Sequence, residues 1–272
     1  NPYVPHKLAA IYRGDSTFIP HNDTKYKKND IVYFVGPTKL LNDIQIMSGK
    51  SPIKVKDIMI LGAGKLGRLL AKSLQDDYNV TILEKDKNKA DAMSERVENT
   101  LMLIGDGLDI SFLESENISE FDCFIALSEN EQTNILASLL LKHYGLKQVI
   151  THINTTDYLK AVRRIGIDAV VSKNNSAVNE VLKIIRSDED EVSISRFDEI
   201  DIESVELEVT ESSKFIQKNY TVENLPENIC LGAIIRTKKV IIPKLHTDLN
   251  IGDKLLFFTK PENIQKAEEL FK

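Results

Sequence analysis

Between residues 57 and 172 short apolar runs alternate with stretches in which apolar residues recur every three or four positions. The runs 58–61, 79–84, 100–104, 122–127, 148–153 and 168–172 have the length and β-branched content of buried strands. Stretches 65–76, 86–98, 109–115, 130–144, 156–165 and 174–187 carry the helical period. Strand–helix alternation predicts βαβ units, hence an α/β fold with a doubly wound parallel sheet. Elsewhere the period falls to two. Residues 1–36 read as β-rich, with strands over 7–12, 16–19 and 30–35, and residues 201–209 alternate polar and apolar. A short helix is expected near 213–218. Residues 37–56, with Gly36-Pro37 and Ser48-Gly49-Lys50-Ser51-Pro52, read as a linker with a short helix near 38–46.

The two β-rich ends share a text. At a constant offset of 223, Leu8 meets Leu231, Ala10 meets Ala233, Ile11 meets Ile234 and Arg13 meets Arg236. Ile19-Pro20 meets Ile242-Pro243, Thr24 meets Thr247, Asp30 meets Asp253 and Phe34 meets Phe257. Nine identities over 27 positions without a gap imply an internal repeat. Its unit is a strand, a turn at arginine, a strand ending in Ile-Pro, and a strand opened by aspartate. The expected division is 1–36 as part of a C-terminal module of a preceding unit, 37–56 linker, 57–187 nucleotide-binding domain with a crossover helix, and 188–272 C-terminal module.

The candidate chemistry sits at the first strand of the alternating region. Gly62, Gly64 and Gly67 follow the run 58–61 in Gly-x-Gly-x-x-Gly spacing and open a helix. Gly62 suits the tight turn, Gly64 lets a pyrophosphate approach bare backbone, and Gly67 lets helix and strand pack closely. The helix N-terminus that follows offers N–H groups and a dipole that favour phosphate. Glu84, 17 residues after Gly67 at the tip of the second strand, is placed to accept hydrogen bonds from a ribose diol. It would repel a 2′-phosphate, which favours NAD(H) over NADP(H). These features together make a Rossmann-like dinucleotide site. Three further strand tips should line the crevice. Asp106 either meets the adenosine end or is a turn or N-cap aspartate. Ser128, followed by Glu129, either caps the next helix or donates to a phosphate. His152 is either a ligand contact or a structural histidine. The helix 130–144 has a broad apolar face that packs on the sheet or meets a subunit, and 174–187 is either an interdomain helix or a connector to another subunit.

Composition narrows the function classes. With 42% hydrophobic and 28% charged residues the chain reads as globular, and no apolar run approaches the ~20 residues of a membrane span. A net charge of −6 without a long basic block argues against nucleic acid or anionic lipid as direct partners. Of the two cysteines, Cys123 lies in the apolar run 121–127 and reads as a buried thiol, no disulfide to Cys230 is expected, the usage fits a reducing compartment, and no Cys/His spacing suggests zinc. An NAD-dependent oxidoreductase is the alternative function. It would need an acid or base beside the nicotinamide, for which His152 is the candidate. A binding scaffold with a vestigial site is a third reading.

With Gly-Ala-Gly-Lys-Leu-Gly at 62–67, Glu84, Gly105-Asp106-Gly107 with Asp109, Ala126-Leu127-Ser128-Glu129 leading to Thr133-Asn134, Arg164-Ile165-Gly166-Ile167-Asp168 and the closing Arg236, Ile242-Pro243 and Gly252-Asp253, the chain resembles the regulator-of-potassium-conductance (RCK, or KTN) family. The resemblance covers essentially the whole sequence. It implies an RCK N subdomain that binds NAD(H), with ATP or ADP as the other occupant, and small α+β C-terminal RCK modules. It implies a non-enzymatic regulatory subunit of a potassium uptake system, in which 62–66 cradle the pyrophosphate, Glu84 holds the ribose, and Ser128 and Glu129 lie along the nucleotide. The implied partners are a membrane potassium-translocating (TrkH-like) subunit and further copies of the chain, as a dimer or tetrameric ring. The implied location is cytoplasmic, peripheral at the inner face of the membrane, with no direct insertion. Where the family often has arginine this chain has His152, a shorter group without permanent charge.

Overall fold

A computed structural model describes residues 5–14, 16–21, 23–49, 51–155, 158, 161–162, 165–174, 176–178, 180, 193–196, 200–218, 222–237, 239–244 and 246–270. Most of the expected helices 156–165 and 174–187, Arg164 and the acidic run 188–191 lie outside these residues. The chain forms two compact units: residues 53–174, and residues 1–52 together with 175–272.

The second unit opens with an antiparallel meander: β1 (Lys7–Arg13), β2 (Ser16–Phe18) and β3 (Ile31–Val35), ordered β2-β1-β3. A 3-10 turn, Thr38–Leu40, runs into α1 (Leu41–Met47), the short helix expected there.

The parallel-sheet unit holds β4 (Asp57–Leu61), α2 (Lys65–Leu74), β5 (Asn79–Glu84), α3 (Lys87–Ser94), β6 (Thr100–Ile104), α4 (Ile110–Ser115), β7 (Cys123–Ala126), α5 (Glu131–His143), β8 (Gln148–His152) and β9 (Ala169–Val171). The six strands are parallel in the order β6-β5-β4-β7-β8-β9. The order reverses between β4 and β7, because the first crossovers carry the chain one way along the sheet and the later ones the other. Apolar residues on both faces of β4 and β5 enter two cores. Met59, Leu61, Leu83 and Phe124 pack with α4 and α5 residues such as Leu113, Ala137 and Leu141. Ile58, Ile60, Val80 and Ile82 pack with Ala71 and Met93 of α2 and α3, and Cys123 is buried among them. The apolar face of α5 is mostly spent on the sheet, leaving Leu136 exposed. The base of the sheet is pinned by buried Asp122, which accepts from Lys56 N–H (2.9 Å), Asp57 N–H (3.2 Å) and Lys147 Nζ (2.7 Å).

The remainder of the second unit contains β10 (Ser193–Arg196), β11 (Glu203–Glu208), α6 (Lys214–Gln217), β12 (Ile229–Arg236), β13 (Lys239–Ile241), β14 (Lys254–Thr259) and α7 (Ile264–Glu268). They form an antiparallel sheet ordered β10-β11-β14-β12-β13. Its last three strands repeat the opening meander at the offset read from the sequence. Both copies slip register at the same place, between Leu8 and Ala10 and between Leu231 and Ala233. Ala9, Ala10 and Ile19 of the first copy share a buried cluster with Ile200, Ile202, Cys230 and Phe258, and the Cys230 thiol donates to the Leu8 carbonyl (3.5 Å).

Candidate functional site: a cleft at the strand-order reversal

The carboxyl ends of β4, β5, β6 and β7 surround a cleft of about 210 Å³. It opens where the strand order reverses, the place at which doubly wound sheets leave a crevice between diverging loops. Gly62 leaves β4 at φ +111°, its N–H bonded to the Leu83 carbonyl (2.9 Å). A Cβ there would lie 2.9 Å from the backbone nitrogen of Ser128, so only glycine fits both the conformation and the space. A Cβ on Gly67 would run into the Gly62 carbonyl oxygen, which is why α2 can start so close to β4. Gly64 differs from both. A Cβ there meets nothing within 4 Å, and its backbone faces the cleft.

Gly64 is also the N-cap of α2, and no side chain caps that helix. The three helices that follow are capped, α3 by Asp86, α4 by Asp109 and α5 by Asn130. The amide end of α2 is therefore left to solvent or to a ligand, with its dipole adding positive potential at Gly64. A second hollow of about 310 Å³ shares Gly64, Lys89 and Glu129 with the cleft and is lined by Ala63, Lys65, Arg68 and Arg96. Its cations sit in a chain of net charge −6, so local and overall charge have opposite signs here.

Glu84 lines the cleft at the tip of β5, as expected, but its carboxylate is already engaged. Oε2 accepts from Ala63 N–H (2.8 Å) and Oε1 from Asp86 N–H (3.0 Å). It thus ties the glycine turn to the entry of α3, and each oxygen keeps a lone pair for a further donor. Asp106 lines the same cleft and is a turn aspartate, accepting from Leu108 N–H (2.9 Å). Glu129 is highly exposed and reaches Lys89 across the cleft mouth at 3.3 Å. Ser128 lines the cleft without capping α5, a role that Asn130 takes. Its hydroxyl and N–H instead point to Asn134 Oδ1, at 2.6 and 2.9 Å.

The cleft therefore gathers Gly62, Gly64, Glu84, Asp106, Ser128 and Glu129, and the adjoining hollow adds Ala63 and Lys65. Gly67 is buried beneath, and Leu66 is partly exposed on α2. Neither of them lines either space, and nor does His152. His152 is 8% exposed, and its pKa is lowered, first by burial and further by Lys173, against the opposing pull of Glu131. A buried imidazole that lines neither space suits a structural role better than contact with phosphate. Asn134, fully buried and bonded to the cleft wall, escaped the sequence reading except as part of the pair Thr133-Asn134. Among the described residues no cluster of His, Cys, Asp and Glu could hold a metal, and no helix is long and apolar enough to cross a membrane.

Comparison with known proteins finds two family domains in the chain. The TrkA-N domain matches residues 58–173 and the TrkA-C domain matches residues 205–272. The chain is 31% identical over 267 residues to Trk system potassium uptake protein TrkA homolog 1 of Methanosarcina mazei, covering 97% of this chain and 59% of that protein. It is 30% identical over 274 residues to the TrkA homolog of Archaeoglobus fulgidus, covering 99% and 61%. The chain thus spans about three fifths of the length of these relatives. Among solved structures, that of the GsuK RCK domain superposes with a TM-score of 0.50 at 16% identity, over 98% of this chain and 57% of that one, a likeness of fold.

Proposed function

Because the chain belongs to the family of TrkA-N and TrkA-C domain proteins, we propose that it is a nucleotide-binding regulatory part of a potassium uptake system and not an enzyme. The relatives named above are potassium uptake proteins by name, which supports that setting. In this reading the cleft takes NAD(H), with ADP or ATP as the competing occupants. The diphosphate lies over Gly64 and the uncapped end of α2, and the ribose meets Glu84. Ser128 and Glu129 flank the nucleotide from the β7 side. The domain division belongs to the same proposal: 1–36 as the tail of a preceding RCK unit, 37–56 linker, 57–187 nucleotide domain and 188–272 C-terminal module. So do its partners, a membrane potassium-translocating subunit and further copies of the chain, and its place on the cytoplasmic side.

The observation that carries this reading is Gly64: bare backbone at an uncapped helix end, open to a cleft at the strand-order reversal. Regulation requires the nucleotide to bind one arrangement of the assembly better than another. A ~100-fold preference corresponds to about 2.7 kcal/mol, within reach of a few contacts to a diphosphate. His152, the candidate acid or base of the oxidoreductase reading, is buried and lines neither the cleft nor the adjoining hollow, which favours the regulatory reading.

Titration calorimetry with NAD⁺, NADH, ADP and ATP tests the reading. Wild-type protein should bind at least one of them. Gly64→Val should weaken binding by about 100-fold or more while circular dichroism stays unchanged, since a side chain there meets no protein atom but fills the approach to the backbone. Unchanged affinity in the variant, or no binding by the wild type, would sink the proposal.

A further inference from the structure

We infer that Asn134 is a positioning residue that fastens the Ser128 wall of the cleft to the exit of β8 and carries occupancy of the cleft to the segment behind it. The inference rests on the reading of the cleft as a nucleotide site. Asn134 lies one turn into α5, fully buried, with every polar valence of its amide engaged. Oδ1 accepts from Ser128 N–H (2.9 Å) and Ser128 Oγ (2.6 Å), while Nδ2 donates to the Ser128 carbonyl (3.0 Å) and the His152 carbonyl (3.2 Å). Three of the four bonds grip the cleft wall and the fourth reaches the last residue of β8.

The line continues at both ends. On the cleft side the Ser128 backbone closes on Gly62, where even one added carbon would collide with it. Anything that moves the glycine turn against Ser128 therefore pushes on Asn134. On the far side Glu131, in the first turn of α5, accepts from Asn154 N–H (3.1 Å) and Thr155 N–H (3.3 Å), so the same helix end holds the backbone just beyond β8. Ser128 and Asn130 line the cleft, so a ligand touches the front of this arrangement while β8 leaves from its back.

The back has hydrogen-bonding capacity to spare. Ser138 Oγ, one turn beyond Asn134, and Thr151 Oγ1, His152 Nε2 and Asn154 Oδ1 are buried without a partner among the described residues. Buried polar atoms without partners are costly, so a small shift of the β8 exit that lets any of them pair is favoured. A seam of this kind has a second arrangement to move into, and Asn134 sets which one by how it holds His152.

Hydrogen exchange read by mass spectrometry, with saturating NADH and separately with ADP, tests this. In the wild-type chain nucleotide should protect residues 62–67 and also change exchange at residues 152–155 by about fivefold or more. Asn134→Asp keeps the volume and the acceptor for the Ser128 N–H and hydroxyl but loses both amide donors, to the Ser128 and His152 carbonyls. It should retain protection at 62–67, lose less than about tenfold in affinity, and abolish the response at 152–155. Asn134→Ser is too short to reach β8, gives up the amide's grip on Ser128 as well, and should also abolish the response at 152–155. A merely structural asparagine would lower the melting temperature of both variants and leave the remote response intact, which overturns the inference. A wild-type response confined to 62–67 overturns it equally, whether or not either variant folds. Absence of both protection and binding heat in the wild type is the distinct failure of the nucleotide reading itself, and the coupling falls with it.

Discussion

The two meanders of the antiparallel unit are one design carried out twice with different neighbours. In each, an arginine on the first strand forks onto an aspartate at the start of the third. Arg13 Nε and Nη2 donate to Asp30 at 2.7 and 2.7 Å, and Arg236 Nε and Nη2 donate to Asp253 at 2.8 and 2.7 Å. The same Nη2 also donates to a carbonyl, of Lys25 or of Asp248, at 2.9 Å in both. Two parallel N–H···O bonds to a nearly buried carboxylate fix the meander's closing loop in angle as well as distance. Several of the nine residues common to the copies are those that make the clamp and the Ile-Pro corner. The residues that differ decide what each copy packs against. Arg13 lies over the Phe18 ring at 5.1 Å, whereas the matching position of the second copy is Ile241. Position 9 is alanine in the first copy, and its counterpart is Gly232 in the second. There a Cβ would lie 2.5 Å from the Phe258 ring and 3.4 Å from Val35, the residue matching Phe258 in the first copy. The clamp is thus the shared frame, and packing around position 9 is where the copies had to diverge.

Substitutions at these positions should separate frame from packing. The largest effect is expected for Gly232→Val, which forces side-chain volume against Phe258 and should cost about 3 kcal/mol in urea unfolding. A neutral outcome would mean that the copies are not packed as described. Asp253→Asn removes the charge from a clamp whose carboxylate is 2% exposed and should cost about 2 kcal/mol. Ala9→Gly, the reverse exchange at the matching site, should cost about 1 kcal/mol, mainly through strand entropy. Asp30→Asn should cost less than Asp253→Asn, because Asp253 is 1% exposed as a whole residue whereas Asp30 is only partly buried. Equal losses would show that the two clamps carry the same weight. The smallest and most diagnostic effect concerns acid. The Arg13 hydrogen bonds hold Asp30 down at about 2, and those of Lys147 and two backbone amides do the same for Asp122. At Asp253 burial works against the Arg236 hydrogen bonds, and the pKa is still lowered. Depressed carboxylates stabilise the fold above about pH 4 and lose that contribution as pH falls toward 2. Melting temperature should therefore drop over that interval, and Asp30→Asn should shallow the slope. An unchanged slope in the variant would remove Asp30 from the account.

Much of this was readable from the chain. All six parallel strands fall within two residues of the apolar runs, and the reason is plainest in β4, β5 and β7, whose apolar residues are buried on both faces of the sheet. The glycine spacing found the turn, and the constant offset found the second meander. The strand Ser193–Arg196 falls where the period shifts to two, from about residue 192, but four residues at a sheet edge are too few to delimit a strand from sequence. The engagement of Glu84 by the turn backbone and of Asn134 by Ser128 and His152 was also out of reach. Their partners lie up to 21 positions away in sequence, and an amide in the middle of an apolar helical face looks like an interruption until the fold shows what it bonds. His152 was expected near a strand tip and is there, but the sequence gives no measure of how far a tip is set back from its cleft.

The placement of the two thiols has a practical outcome. One lies in each unit, both buried, and burial raises each pKa to about 11. Neither can react with an alkylating reagent until its own surroundings open. Timed labelling followed by peptide mapping would therefore clock the breathing of the parallel sheet at Cys123 and the parting of the paired meanders at Cys230, in one tube and without any engineered probe.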